Sequence, residues 1–247
     1  DVLTAAAAAA DGVVHMAYGG DFANPEPMMR RDVNAITALG AAMEGTDRAL
    51  VATSGTLVMP VGQDATETDA ADPDGLAPFR VAGEQACMAF VDRGVRASVV
   101  RLAPTVHGPR DQGFIPMLIA TAKQTGVSAY VGDGTNRWPA VHRDDAAMLF
   151  RLTLENAPAG SFLHGVAETV EFRAIAQAIG DGLHLPVHGI SNDEALTHFA
   201  SPFMGLIYGA DVPVRSDLTR RLLDWHPTHP RLLDDLASGD YLRGAKG

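Results

Sequence analysis

The sequence predicts an α/β fold built on a parallel sheet, with a smaller mixed lobe in its later half. Two observations carry this. Short apolar runs, Gly12–Ala17, Ala49–Thr53 and Ala97–Leu102, are separated by helical stretches, the pattern of parallel strands buried on both faces. Each run also ends abruptly, in Tyr18-Gly19-Gly20, in Ser54-Gly55-Thr56 and in Pro104-Thr-Val-His-Gly108. Ligands of open α/β sheets sit beyond the carboxyl ends of the strands, so the three ends are expected to form one site.

The elements follow in order. Val2–Ala10 is helical by its alanine content and leads into the first strand. Tyr18–Pro27 is a polar loop. Between Glu26 and Glu44 the residues Met29, Val33, Ile36, Leu39 and Met43 recur at helical spacing. Gly45 closes that helix, the second strand follows, and the acidic, aperiodic residues 62–74 form a loop at its carboxyl end. A helix is expected over Phe79–Asp92, ended by Gly94. After the third strand come a helix Ile115–Lys123, a strand Val127–Val131, a turn at Gly132-Asp133-Gly134 and a helix Asp144–Leu154. Phe162–Val166 is a fourth core strand, Glu171–Ile179 a helix ended by Gly180, and Val187–Ile190 another strand. Ser191-Asn192-Asp193-Glu194 is a capping box that opens a helix to Phe199. Two short helices, Asp217–Asp224 and Arg231–Leu236, flank Trp225-His226-Pro227.

Composition narrows the function classes. A chain of 247 residues with 47% hydrophobic and 20% charged residues has the balance of a soluble globular protein. Its net charge of −11 argues against nucleic acid or an anionic membrane as partner. No apolar run is long enough to span a bilayer. The alanines Ala5–Ala10 lack the basic flank of a signal peptide and read as a helix end. The single cysteine, Cys87, excludes a disulfide framework and suits a cytoplasmic location. The spacing His184…His188 is interrupted by Pro186, so no metal site is expected there.

Five segments, in order, carry a resemblance. Asp11-Gly-Val-Val-His-Met-Ala17 looks like an Asp-x-Val-hydrophobic-His-Leu-Ala signature, and Thr53-Ser54-Gly55 like Thr-Ser-Ser. Arg101–Gly108 is similar to an Arg-Pro…Val-Tyr-Gly segment, and Val141-His142-Arg-Asp-Asp145 to Val-His-Val-x-Asp. Leu223-Asp-Trp225-His-Pro227 matches Leu-Gly-Trp-x-Pro. These motifs resemble the extended short-chain dehydrogenase/reductases, the NAD-dependent epimerase/dehydratase family. The resemblance implies a Rossmann-type doubly wound sheet over residues 1–109, to which 141–166 return. It implies a substrate lobe from 110–140 and 167–247.

Two departures from the family pattern stand out. Its Gly-rich phosphate loop has no counterpart in this sequence. The chain opens at Asp1 inside a helix, as expected of an N-terminally truncated chain whose first βαβ units precede it. Binding of NAD or NADP is therefore an expectation for the complete protein, and the residue that selects between them falls in the same missing part. The second departure is catalytic. Anchored on Glu84, the Tyr of the family's Tyr-x-x-x-Lys falls on Leu76 and the Lys on Arg80. Leucine cannot transfer a proton, whereas arginine can still bond ribose hydroxyls.

By this resemblance the catalytic candidates are Ser54, Thr56, His107, Asn34 and Arg80. His107 is a surrogate acid/base where the family has Tyr, and Asn34 matches a helical Asn. The cofactor candidates are His15, Met16, Ala17, Thr53, Arg80, Ala103 and Pro104. Tyr18, Arg137 and Trp138 are expected to line the substrate pocket, with packing as the alternative for Tyr18 and Trp138. Tyr18 is also the nearest replacement for the lost Tyr. Asp145 is expected to stabilise the fold at a helix N-terminus. The leading reading is an atypical NAD(P)-dependent oxidoreductase or epimerase/dehydratase acting on a small carbonyl, alcohol or sugar-type substrate. The alternative is a non-catalytic dinucleotide-binding protein of the same fold. A homodimer through the helices Glu26–Glu44 and Phe79–Asp92 is a further expectation of the resemblance.

Overall fold

A four-stranded parallel sheet organises the first two-thirds of the chain. The computed structural model describes residues 2–19, 24–238 and 241–242. The sheet consists of β1 (Gly12–His15), β2 (Ala49–Gly55), β3 (Arg96–Leu102) and β7 (Ser161–Gly165), in that spatial order and all parallel. Strand alternation divides the core. Leu50 and Ala52 face Ile36, Leu39, Cys87 and Phe90, which lie on or beside α2 (Pro25–Ala41) and α3 (Val81–Met88). Val51 and Val100 face the other way, toward Leu149 and Phe150 of α5 (Arg143–Asn156). Burial on both faces explains why these strands are nearly uniformly apolar in sequence.

The first helix, α1 (Val2–Ala9), is held by Arg48. Its guanidinium donates to the carbonyls of Ala7, Ala8 and Ala10, satisfying backbone acceptors that a helix C-terminus leaves open. Between α2 and α3 the approach is close. A Cβ on Gly83 would lie 2.4 Å from Asp32 Oδ2, so only glycine lets the Asp32 carboxylate pass under α3 toward His15.

Beyond the main sheet, β4 (Thr105–His107) pairs parallel with β6 (Arg137–His142), which pairs antiparallel with β8 (Glu168–Glu171). A third sheet joins β5 (Ser128–Val131) and β9 (Val187–Ile190) in parallel. Helices α4 (Phe114–Thr125) and α6 (Phe172–Leu183) contact β5. Four short helices complete the later half: α7 (Asn192–His198), α8 (Pro202–Gly209), α9 (Asp217–Leu223) and α10 (Leu232–Ser238). Among the described residues no helix is long and apolar enough to cross a membrane.

Several elements differ from the sequence expectation. The helix expected over Phe79–Asp92 is α3 alone, flanked by 3-10 turns at Pro78–Arg80 and Val91–Arg93. Gly94, in the left-handed region, ends the second turn. α6 does not stop at Gly180. It runs to Leu183, because a Cβ at Gly180 would meet Val187 at 2.3 Å and the glycine serves close packing instead. The first strand ends at His15, and of the expected Tyr18–Pro27 loop residues 20–23 lie outside the described residues. β4, β6, β8 and α8 had no counterpart in the sequence reading. The capping box Ser191…Glu194 forms as expected.

Candidate active site

The ends of β1 and β2 are tied by hydrogen bonds. Thr53 Oγ1 donates to the His15 carbonyl at 2.8 Å, and Arg80, in the turn before α3, donates through Nη2 to the Thr53 carbonyl. The Arg80 guanidinium also lies over the Tyr18 ring, 3.7 Å from its centroid. One more ion pair sets the position of α3. Arg101 of β3 and Glu84 of α3 form a bidentate bond, Nε to Oε1 at 3.0 Å and Nη2 to Oε2 at 2.8 Å, with both side chains buried. The tie fixes the segment that carries Arg80 against the sheet.

A cavity of about 270 Å³ opens at these strand ends. Four residues that line it, Tyr18, Ser54, Thr56 and Arg80, each hold a buried polar atom without a hydrogen-bond partner: Oη, Oγ, Oγ1 and Nη1. Such atoms are costly unless something satisfies them. Their grouping around one cavity marks it as a place for a polar ligand atom. Burial pushes the Tyr18 phenol above its ordinary pKa, while the nearby Arg80 charge pulls it back. The phenol thus stays protonated at neutral pH.

Of the expected site residues, Ser54, Thr56, Arg80, Ala103, Pro104 and Tyr18 line this cavity. Met16 and Ala17 are exposed just beyond β1. Thr53 contributes through its bonds to His15 and Arg80. The buried ring of His15 is bound to Asp32 Oδ1 at 2.8 Å, so it is committed to α2 and away from the cavity. Leu76, where the family has Tyr, packs against the core.

Three expectations are corrected, and for Trp138 the packing alternative holds. His107 does not face the cavity. Alternation along β4 turns Val106 toward it and puts His107 on the other side, 1% exposed, with Nδ1 bonded to Asp235 at 2.6 Å. Asn34 lies on the exposed side of α2, while Asp32 and Ile36 face inward. Arg137 is bound to Asp211 and Asp64 and does not line the cavity. Trp138 is fully buried, donates its indole N–H to Thr105 Oγ1 at 2.8 Å and packs edge-on against Phe114. It backs the wall from behind.

Sequence reasoning missed the residues that form the apolar side, among them Phe79, Val106, Phe114 and Phe203. Phe203 had a readable signal. Ser201 accepts from the Met204 N–H and Pro202 follows it, a helix start that places Phe203 in the first turn of α8. A second cluster lies apart from the cavity. The Asp145 carboxylate accepts from the N–H groups of Thr228 and His229 and bonds the His229 ring at 2.8 Å, and Trp225 donates to its carbonyl. Burial would raise the Asp145 pKa, but these bonds outweigh it and hold it low. This is the stabilising role expected of Asp145 at the N-terminus of α5.

Comparison with known proteins gives a consistent picture. The model of the NAD dependent epimerase/dehydratase family matches residues 1–163. An uncharacterized protein of Schizosaccharomyces pombe is 45% identical over 243 residues, 98% of this chain and 81% of its own. One from Saccharomyces cerevisiae is 39% identical over 96% of this chain and 78% of its own. Among solved structures, a dTDP-glucose 4,6-dehydratase from Streptomyces venezuelae with NAD bound superposes with a TM-score of 0.77 at 18% identity. The match covers 98% of this chain and 76% of that one. A UDP-glucuronic acid 4-epimerase from Bacillus cereus, in complex with NAD, gives 0.74 at 16% identity, over 98% and 77%. The structural matches establish the Rossmann-type fold.

Proposed function

The chain belongs to the NAD dependent epimerase/dehydratase family, and from that premise we propose that it interconverts a carbonyl compound and the corresponding alcohol with NAD or NADP as the redox partner. The observation that carries this reading is the set of unpaired polar atoms on Tyr18, Ser54, Thr56 and Arg80 around one cavity at the strand ends. These groups fit the nicotinamide end of such a cofactor and a carbonyl beside it. Arg80, Ala103 and Pro104 would hold the cofactor, with Thr53 steadying Arg80. The cofactor supplies a hydride when bound.

The protein's own part is orientation and a proton. Ser54 and Thr56 offer hydroxyls to the substrate oxygen, which fixes the carbonyl and polarises it. Tyr18 takes the place of the missing family Tyr. Its phenol, kept protonated by burial, gives its proton to the oxygen that gains charge and recovers one from solvent. The lobe formed by 110–140 and 167–247 contributes Phe114 and Phe203 to the opposite wall.

The test is calorimetric titration with NAD and NADP, followed by turnover on a panel of carbonyl compounds read by nicotinamide absorbance. Tyr18→Phe is expected to lower turnover by about 10²–10⁴-fold with the fold retained. Unchanged turnover in both Tyr18→Phe and Thr56→Val would remove the assigned roles. Cofactor binding with no turnover on any carbonyl favours the non-catalytic alternative.

A further inference from the structure

The cavity divides by chemistry along the elements that build it. Its polar side chains come from the end of β1, the end of β2 and the turn before α3. Its opposite side is apolar: Leu57, Leu102, Val106, Phe114 and Phe203, from β3, β4, α4, α8 and the turn after β2. At about 270 Å³ it falls just below the range of pockets that enclose drug-sized ligands. Among the described residues that line it there is no carboxylate and no amide side chain. The single cation, Arg80, already donates to the Thr53 carbonyl and lies on the Tyr18 ring.

A sugar nucleotide needs the reverse of this. Its hydroxyls require several donors and acceptors, and its diphosphate requires more than one unshared cation; burying either against phenylalanine and valine leaves polar groups unsatisfied. We propose that the cavity takes a small, uncharged, predominantly apolar ketone or aldehyde, its oxygen among Tyr18, Ser54, Thr56 and Arg80 and its hydrocarbon body against Val106, Phe114 and Phe203. This assignment rests on the reading of the same cavity as a carbonyl site. Val106 is the residue that sets the specificity, because it enters from the β4 face from which His107 turns away.

The experiment uses acetophenone and UDP-glucose as probes of the whole chain, by saturation-transfer NMR without cofactor. Binding in this assay is independent of the redox reading, which fails separately if neither NAD nor NADP binds in calorimetry. Saturable acetophenone binding that UDP-glucose does not displace is expected. Val106→Asp should weaken it at least about tenfold by placing a charge in the apolar wall, and Val106→Ala should weaken it about tenfold or more, as for removal of small apolar groups from a hydrophobic pocket. Circular dichroism of both variants reports whether they fold. The proposal is overturned if UDP-glucose binds and acetophenone does not, if neither binds, or if folded Val106→Asp and Val106→Ala both bind acetophenone like the parent.

Discussion

Arg80 holds two strand ends at once: its guanidinium lies 3.7 Å from the Tyr18 ring centroid and donates to the Thr53 carbonyl. Thr53 in turn holds the His15 carbonyl. A change at one side chain is therefore felt by the phenol, by β2 and by β1.

Replacing Arg80 with Met removes the cation from the Tyr18 ring and a hydrogen bond from Thr53. The expected loss is about 1–2 kcal/mol of unfolding free energy, measured by urea titration. Because Arg80 pulls the Tyr18 pKa down, its removal should move that phenol further up. A difference titration of tyrosine absorbance against the Arg80→Met/Tyr18→Phe double variant isolates the change.

The Arg101–Glu84 pair is buried on both sides, 2% and 3% exposed. Glu84→Ala leaves the guanidinium in the interior with only Met59 Sδ, the Asp69 carbonyl and the Phe162 ring around it. The cost should be about 3–5 kcal/mol. Removing both charges in Glu84→Leu/Arg101→Met should restore much of it, and the double-mutant cycle measures the coupling.

Gly83→Ala should displace the Asp32 carboxylate, since the new methyl would lie 2.4 Å from its Oδ2. Overpacking of this kind costs about 1–3 kcal/mol. The His15–Asp32 bond should lengthen or break, which the chemical shifts of the His15 ring report directly. Gly45→Ala is a useful contrast, because nothing lies within 4 Å of its added carbon and only its left-handed backbone, at φ +68°, resists the change.

Stability should fall toward acid. Burial holds His164 below its ordinary pKa, so the folded chain keeps it neutral while the unfolded chain takes up a proton below about pH 6.5. The unfolded state then binds more protons, and stability is lost as pH drops through that value. In His164→Asn the urea midpoint should change less between about pH 7 and about pH 5.5 than in the parent. His229 works the other way, since its bond to Asp145 raises its pKa and favours the folded state as it protonates.

The parallel strands were legible because a strand buried on both faces has to be apolar throughout, and its end has to break into turn residues. Ser54, Thr56 and Tyr18 were legible for the same reason, because they sit at those ends, whereas Arg80, in the turn before α3, was legible only through its spacing from Glu84. β4, β6 and β8 were not, because Thr105–His107 and Arg137–His142 mix charged, aromatic and proline residues without a clean period. Their inward and outward faces are set by partners such as Asp235, Thr105 and Asp211, far away in the chain. His107 shows the consequence. Its position near a strand end could be read, but which side of β4 it faced depends on the register with β6, and the register is a tertiary fact. Phe203 was missed because α8 is too short for periodicity to declare it.

The acidic loop after β2 has a bearing on the timing of folding. Glu67 accepts from the backbone and hydroxyl of Thr219, Asp64 meets Arg137, and Ala65 bridges to Val214. Glu67 and Thr219 are 152 residues apart. At ribosomal speeds of about 5–20 residues per second, roughly 8–30 s separate the emergence of the two. The four-stranded sheet can assemble as soon as β7 has emerged. The loop beside Ser54-Gly55-Thr56, however, can meet Arg101 and Arg137 by then but lacks its bonds to Thr219 until α9 leaves the ribosome. A stalled chain ending before Thr219 would then carry a folded sheet whose neighbouring loop is left without a partner for the Glu67 carboxylate.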